Sequence, residues 1–412
     1  MTDPTGRSFL SYCRKRHDEA ELLIRAQREM GIPTWQDIED LGEGQTETNL
    51  RDVLSAEDTA NAILWLTPEV ADSDMIRRVE VPAMVRRQAR DDGFFILPVA
   101  AGGLDYAEAA KPLAGKASLH DLRSWNLQRI SNTTLDSSEA RRIADRVLRG
   151  RLASIHDRLP ADEPLRIRLM TRRKPAFEQG WALTLDWSHH FAGGRHAPPG
   201  SWNHSLIPAL RQVRDAIREV APGRRVVASG ESTLSAATAL GSAFLSLDEI
   251  SLTWQQKSRG TPDQLWNLEA PREASGFQLR QVPRDVRGKN LAVLLSVTDD
   301  VSSAFNETKI LPKVRAVLDV RPSASEPGAF SQFQITNPGQ ALDIAMTTIE
   351  GIRQARAEYR PQRIHLFMAV PVGLAMLVGQ LLNTLGPVQT YEHNDSSAVG
   401  RYRRGALLKA GL

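Results

Sequence analysis

The order of apolar and polar positions predicts alternating strands and helices from the first residues onward. Ser8-Phe9-Leu10-Ser11-Tyr12 is an apolar run of strand length. Residues 18–30 follow with Ala20, Leu23, Ile24 and Gln27 on one side of a helix and Gly31 as its stop. Pro33-Thr34-Trp35 starts a second strand, Asn61-Ala62-Ile63-Leu64-Trp65-Leu66 is a third closed by Thr67-Pro68, and residues 93–99 are a fourth. Strands separated by helices at this spacing imply right-handed crossovers and a parallel sheet covered on both faces. A polar helix from Ser137 to about Leu152 closes the unit, and residues 159–164 read as a linker.

The remainder repeats itself. Residues 225–234, which run Arg-Val-Val-Ala-Ser-Gly-Glu-Ser-Thr-Leu, align with residues 363–372; Gly241 then falls on Gly379, and the strand Ile250-Ser251-Leu252-Thr253-Trp254 on residues 388–392. A further match pairs residues 183–188 with 292–297. Such a duplication predicts two α/β lobes facing each other across one pseudo-twofold cleft, at the strand ends where open α/β sheets take ligands. Two domains are therefore expected, residues 1–155 and 160–412, as the length of 412 residues also suggests.

Residues 364–391 contain no Asp, Glu, Lys or Arg, and about 20 apolar residues suffice to span a bilayer. His365, Pro371, Gly373, Gly379, Gln380, Asn383 and Gly386-Pro387 interrupt the run, which fits a buried strand, a turn, a buried helix and a second strand. A hydrophobic fraction of 41% with 25% charged residues excludes a disordered or collagen-like chain. The net charge of +3 and the scattered Arg172-Arg173-Lys174, Arg224-Arg225 and Arg403-Arg404 do not indicate bulk nucleic-acid binding. Cys13 is the one cysteine, so neither a disulfide framework nor a cysteine zinc site is expected, and an intracellular address is. Acidic Asp18 and Glu19 after a very short apolar run predict no signal peptide.

For chemistry in the first domain the candidate acids are Asp37, Glu39, Glu43, Glu47 and Glu80. Asp37 and Glu39 follow the second strand and open a glycine-containing loop that ends at Gly44. Glu80 lies in a helical stretch entered from the third strand, with Asp72 or Ser73 as its cap, where the plain alternative is an exposed carboxylate paired with Arg77. His189-His190, His196 and His204 carry no HExxH spacing, and no metal is expected; Gly193-Gly194 lacks the Gly-Lys-Ser/Thr of a phosphate loop.

Phe9-Leu10-Ser11-Tyr12 with nearby Arg14, then Thr34-Trp35-Gln36-Asp37, the loop to Gly44, and Leu66-Thr67-Pro68 resemble a TIR domain, which implies a flavodoxin-like fold. Enzymatic TIR domains cleave the nicotinamide–ribose bond of NAD with one glutamate on the helix after the third strand, and the matching position is Glu80. The resemblance also implies Tyr12, Arg14, Trp35, Asp37, Glu39 and Gly44 near the substrate. Ile76 stands where a Trp often precedes that glutamate by one turn, and Thr67 replaces the usual Ser. The plainer possibility is a TIR unit that acts only as an assembly module, a non-enzymatic scaffold brought together by a cyclic nucleotide.

In the second domain two strand-to-helix turns, Ser229-Gly230-Glu231-Ser232-Thr233 and Ala369-Val370-Pro371-Val372-Gly373, present small residues and helix N-terminal N–H groups suited to phosphates. Trp254, Tyr391 and Tyr402 are candidates to stack on bases, with a place in the core as the alternative. Residues 364–371, 379–382 and 386–392 resemble the closing half of a SAVED domain, a fused pair of CARF-like (Rossmann-like) lobes that senses cyclic oligonucleotides. TIR before SAVED is similar to the TIR–SAVED effectors of bacterial cyclic-oligonucleotide-based antiphage signalling. That resemblance implies a cytoplasmic NAD glycohydrolase without a cofactor. NAD+ is its substrate, cyclic oligoadenylate (preferably cyclic tri-adenylate) its activator, and a homo-oligomer or filament its active state, with residues 40–46 as the moving loop and neither DNA nor membrane as partner.

Overall fold

A computed structural model describes residues 1–35, 46–113, 127–130, 132–191, 196–245, 250–257, 262–308, 313–323, 330–331, 334–394 and 401–409. It divides into two compact units: residues 1–163, 176–185 and 219–221, and residues 164–175, 186–218 and 222–412.

In the first unit β1 (Arg7–Ser11), β2 (Thr34–Trp35), β3 (Thr59–Leu66), β4 (Phe95–Ala100) and β5 (Gln128–Arg129) form one parallel sheet in the order β2-β1-β3-β4-β5. This is the flavodoxin-like order, in which ligands meet the carboxyl strand ends. All eight residues of β3 are buried, because helices cover both faces of a parallel sheet and leave no solvated side for polar alternation. The helices are α1 (His17–Glu29), α2 (Thr46–Ser55), α3 (Val81–Gln88) and α4 (Ser137–Arg158). Gly31, at φ +87°, lets the chain turn back after α1. Asp136 caps α4 by accepting from the N–H groups of Ser138 and Glu139. The guanidinium of Arg151, 1% exposed, donates to the carbonyls of Gly6, Thr5, Trp181 and Ala182 and ties α4 to the N-terminal turn.

β6 (Leu165–Met170) opens the second unit, and β7 (Leu183–Asp186) lies where the units divide. The first lobe has β6, β8 (Val226–Glu231), β9 (Leu252–Gln256) and β10 (Gln264–Trp266) in the order β10-β9-β8-β6, with α5 (Ile207–Val220) and α6 (Leu234–Ala243). The second lobe orders β11 (Phe277–Pro283), β12 (Asn290–Ser296), β13 (Val314–Pro322), β14 (Arg363–Ala369), β15 (Val388–His393) and β16 (Tyr402–Leu408) as β11-β13-β12-β14-β15-β16. Its helices are α7 (Pro338–Tyr359) and α8 (Val372–Gln380). The charge-free segment 364–391 is a strand, a turn, a buried helix and a strand, as its Pro and Gly positions predict. Among the described residues no helix is long and apolar enough to cross a membrane.

The repeat is structural. β8 pairs in parallel with β9 and β14 with β15, and each lobe ends in an antiparallel strand, β10 or β16. Two sequence matches need correcting. Ladder registers set Val226 opposite Leu252 and Ile364 opposite Val388, so Leu252 corresponds to Val388, two residues from the expected alignment. A two-residue slip keeps every side chain on its own face, which is why alternation did not reveal it. The counterpart of β12, beside β14, is β6, beside β8, and not residues 183–188.

α6 and α8 are apolar all round and pack on each other at the centre of the unit. A Cβ on Gly241 would strike the Met376 carbonyl oxygen, and one on Gly379 the Thr238 carbonyl oxygen. The repeat pairs Gly241 with Gly379 and Thr238 with Met376, so the contact is reciprocal, as at a twofold axis.

Candidate functional site

At the carboxyl end of the first unit's sheet, Tyr12 is half-buried with its hydroxyl 3.5 Å from His17 Nδ1, and Arg14 is exposed. Arg16 donates to Glu69 Oε1 at 2.7 and 3.1 Å and to Glu19 Oε1 at 3.2 Å. Burial would lift the Glu69 carboxyl, but the bonds from Arg16, Thr67 and its own N–H, with the Arg16 charge, together outweigh this and hold it at about 2. Lys15 pairs with Asp72 at 3.1 Å.

Glu80 is 8% exposed, so it is not the solvated helix carboxylate of the plain reading. It closes a π-helical turn, Ile76–Glu80, in which the Val81 N–H reaches back to the Ile76 carbonyl. Pro82 explains the widening: it has no N–H for the Arg78 carbonyl and its ring crowds that carbonyl. Ser73 Oγ accepts from the Ile76 N–H at 3.4 Å and is the cap, not Asp72. Ile76 and Val79 join a buried cluster with Cys13, Trp35, Leu50 and Leu66. Trp35 is 3% exposed and stacks on Phe9 with centroids 5.2 Å apart, so its ring belongs to the core and does not face a substrate. Asp37, Glu39 and Gly44, with most of the expected moving loop, lie outside the described residues.

In the second unit the first turn is built around Gly230, whose φ of +138° and position against the Leu169 carbonyl exclude a side chain. Ser229 Oγ donates to the Gln255 carbonyl at 3.3 Å. Thr233 caps α6 by accepting from the Ala236 N–H, and Ser232 Oγ is buried with no hydrogen-bond partner among the described residues. The second turn's own N-cap residue offers no side-chain cap: Pro371 holds that position, and Val370 is buried.

The expectation of open helix N-termini is corrected here. The Ser235 N–H of α6 donates to Glu392 Oε1 of the other lobe at 3.0 Å, and the Gly373 N–H of α8 donates to Gln256 Oε1 at 3.0 Å. Ser235 and Gly373 are equivalent in the repeat, and so, by the strand register, are Gln256 and Glu392. Each lobe thus caps the other's helix. Burial pushes the Glu392 carboxyl up to about 7 against the bonds from Thr233 and Ser235. Neither residue was recognisable as a site residue in the sequence, because the two-residue register shift hides their equivalence.

The three proposed base-stacking residues are core residues. Trp254 is 2% exposed, at the site where a Cβ on Gly373 would meet it. Tyr391 stacks on Phe367 at 4.3 Å and Tyr402 meets the same ring edge-on at 5.0 Å. Tyr391 also bonds His365 Nδ1 at 2.9 Å. Desolvation holds that imidazole down at about 4, and Arg363 and Arg404 act in the same direction.

Residues 209–408 match the sequence model of the SAVED family, described as the SMODS-associated and fused to various effectors sensor domain. The chain therefore carries a SAVED sensor domain over that stretch. The whole chain is similar in structure to the Acinetobacter baumannii Cap4 SAVED/CARF-domain containing receptor with the cyclic trinucleotide 2'3'3'-cAAA, at TM-score 0.50 and 15% identity. It is similar to the same receptor with 3'3'3'-cAAA at TM-score 0.50 and 14% identity. Both comparisons cover 97% of this chain and 100% of the other, and at such identity they are likenesses of fold. No curated protein matches the sequence.

Proposed function

We propose that the protein is an NAD glycohydrolase switched on by a cyclic oligonucleotide in bacterial antiphage signalling. The sensing half rests on the SAVED match and on the Acinetobacter baumannii receptors, which hold cyclic trinucleotides of three adenines. The ligand taken here is accordingly a cyclic oligoadenylate, preferably cyclic tri-adenylate, bound near Gly230, Ser232 and Pro371. Because Glu392 and Gln256 already satisfy helix amides there, phosphates compete with those caps.

The catalytic half is carried by one observation, a buried carboxylate, Glu80, on a π-helical turn of a parallel 2-1-3-4-5 unit. π-Turns inside helices recur at functional sites. Ordinary glycoside hydrolysis needs two acids. The nicotinamide of NAD+ is already a pyridinium: when the C1′–N bond breaks, the electron pair neutralises the ring, and no proton donor is required. Glu80 orients the ribose hydroxyls and offsets the positive charge that grows on C1′ as nicotinamide leaves; water then attacks C1′ and gives up a proton to solvent, and ADP-ribose is released. A single electrostatic contact of this kind is worth about 10²-fold or more in rate.

Gating follows if the nucleotide binds an assembled state better than the free one, since only differential affinity shifts such an equilibrium. A head-to-tail contact that does not close yields a filament. The test is loss of a fluorescent NAD analogue with and without cyclic tri-adenylate, in wild type and Glu80→Gln. Activity is expected only with the nucleotide and only in wild type. Equal rates in both tubes reject gating, full activity in Glu80→Gln removes Glu80 from the mechanism, and no free nicotinamide under any condition leaves a scaffold.

A further inference from the structure

The amino end of β14 carries a basic concavity that the cyclic-nucleotide reading does not use. A hollow of about 470 Å³ is lined by Arg353, Arg356 and Arg360, with Pro361, Thr384 and Leu385 as its wall. The three arginines, spaced i, i+3 and i+7, share one side of the last turns of α7 and its end. None has a carboxylate partner among the described residues. The nearby acids are committed elsewhere, Glu350 to Arg272 at 2.9 Å and Glu358 to Gln281 at 2.9 Å.

Three like charges on one helical face repel, and two left-handed backbone positions lie among them. Arg360 sits at φ +46°, in the position after a helix that glycine usually fills at least cost. Thr384, at φ +65°, is a second left-handed non-glycine residue in the same hollow, and its carbonyl accepts from Arg356. Two of the three such residues among the described ones therefore meet here. Residues held in sparsely populated backbone regions gather at ligand clamps. The volume is that of a small-molecule site, and guanidinium forks match phosphate oxygens two at a time.

We propose that this hollow binds a small oligophosphate, either free or as the tail of a nucleoside triphosphate. It lies at the opposite end of β14 from Val370 and Pro371, roughly 20 Å along the strand, and is independent of the proposed cyclic-nucleotide site. The full-length protein, without NAD or cyclic nucleotide, is titrated calorimetrically with inorganic tripolyphosphate, ATP and AMP. Tripolyphosphate and ATP are expected to saturate with similar affinity and AMP to bind at least 10-fold more weakly. ATP binding with none by tripolyphosphate instead overturns the oligophosphate assignment. Arg353→Ala/Arg360→Ala removes two exposed side chains with no bonding partner among the described residues. It is expected to weaken tripolyphosphate at least 10-fold with an unchanged urea midpoint. Absence of saturable binding in wild type, or unaltered affinity in the double variant, overturns the site. The readout involves neither NAD loss nor cyclic tri-adenylate, so its failure and that of the proposed activity are separable.

Discussion

Where α6 meets the strands of the other lobe, room is made on the strand: a Cβ on Gly405 of β16 would lie 2.9 Å from Ser235 Cβ and 2.7 Å from Thr390 Oγ1. Where α8 makes the equivalent contact, room is made on the helix, since a Cβ on Gly373 would lie 2.8 Å from Trp266 and 2.9 Å from Trp254. The lobes exchange which partner is small. The caps differ in the same spirit, Gln256 on one side and Glu392 on the other. Duplication explains the shared geometry, and the differences lie in charge and size at fixed positions. A molecule with two nearly equal halves can thus be proton-sensitive on one side only.

The symmetry can be broken at its axis, at any pH. Gly241→Ala and Gly379→Ala each place a methyl group against a backbone carbonyl that cannot rotate away. Alanine gains about 1 kcal/mol in helix propensity, while overpacking costs up to about 3 kcal/mol or more, so the clash wins. Both single variants should lose roughly 2 kcal/mol in urea unfolding. The double variant should lose less than twice that, because one displacement of α6 from α8 relieves both contacts. Full additivity would contradict a shared contact.

The caps come next. Glu392 keeps its proton in the folded state up to about pH 7, against an ordinary carboxylate value near 4.5. The folded state therefore binds the proton that the unfolded chain releases in that window. Its contribution is fully present below about pH 4.5, falls as pH rises, and is lost above 7, a change of about 3 kcal/mol. His365 runs the other way: with its folded value near 4, stability falls as pH drops from 6.5 through 4. Wild type alone would blend the two, so the difference from Glu392→Gln is the measurement. Gln keeps an acceptor for the Ser235 N–H without the charge, and Glu392→Gln should be more stable than wild type by about 3 kcal/mol at pH 8 and equal at pH 4.5. Gln256 is only half-buried, so Gln256→Glu should do the converse at pH 8 with a clearly smaller loss. Parallel pH profiles for Glu392→Gln and wild type would show that the buried carboxyl does not titrate in this range.

These contrasts mark what the chain discloses before it folds. The strand–helix alternation, the break-up of residues 364–391 and the pairing of Gly241 with Gly379 were legible because apolar periodicity and Gly/Pro punctuation are local signals. The reciprocal caps were not, since Gln256 and Glu392 are matched only through ladder register, and a slip of two leaves the pattern of faces intact. Trp35, Trp254, Tyr391 and Tyr402 look the same in sequence whether they stack on a ligand or on Phe9 and Phe367; only packing decides. The π-turn before Glu80 did have a signal, Pro82, whose missing N–H forces the preceding turn to adjust.

The smallest expected effect compares the two helix starts themselves. α6 begins with Thr233, whose Oγ1 accepts from the Ala236 N–H at 3.4 Å, and α8 begins with Pro371, which has no side-chain acceptor. Thr233→Ala removes this long cap bond and the bond to Glu392, and should cost about 1 kcal/mol or somewhat more. Pro371→Thr adds a cap in a backbone already extended at ψ 145° but releases the φ that proline holds, about 0.4–1 kcal/mol of unfolded-state entropy. The two terms are of similar size, so the net change should stay within about 0.5 kcal/mol. If instead Pro371→Thr stabilised the protein by a full kcal/mol, the start of α8 would be limited by an unmet N–H that Gln256 does not satisfy, and the reciprocity of the caps would be only partial.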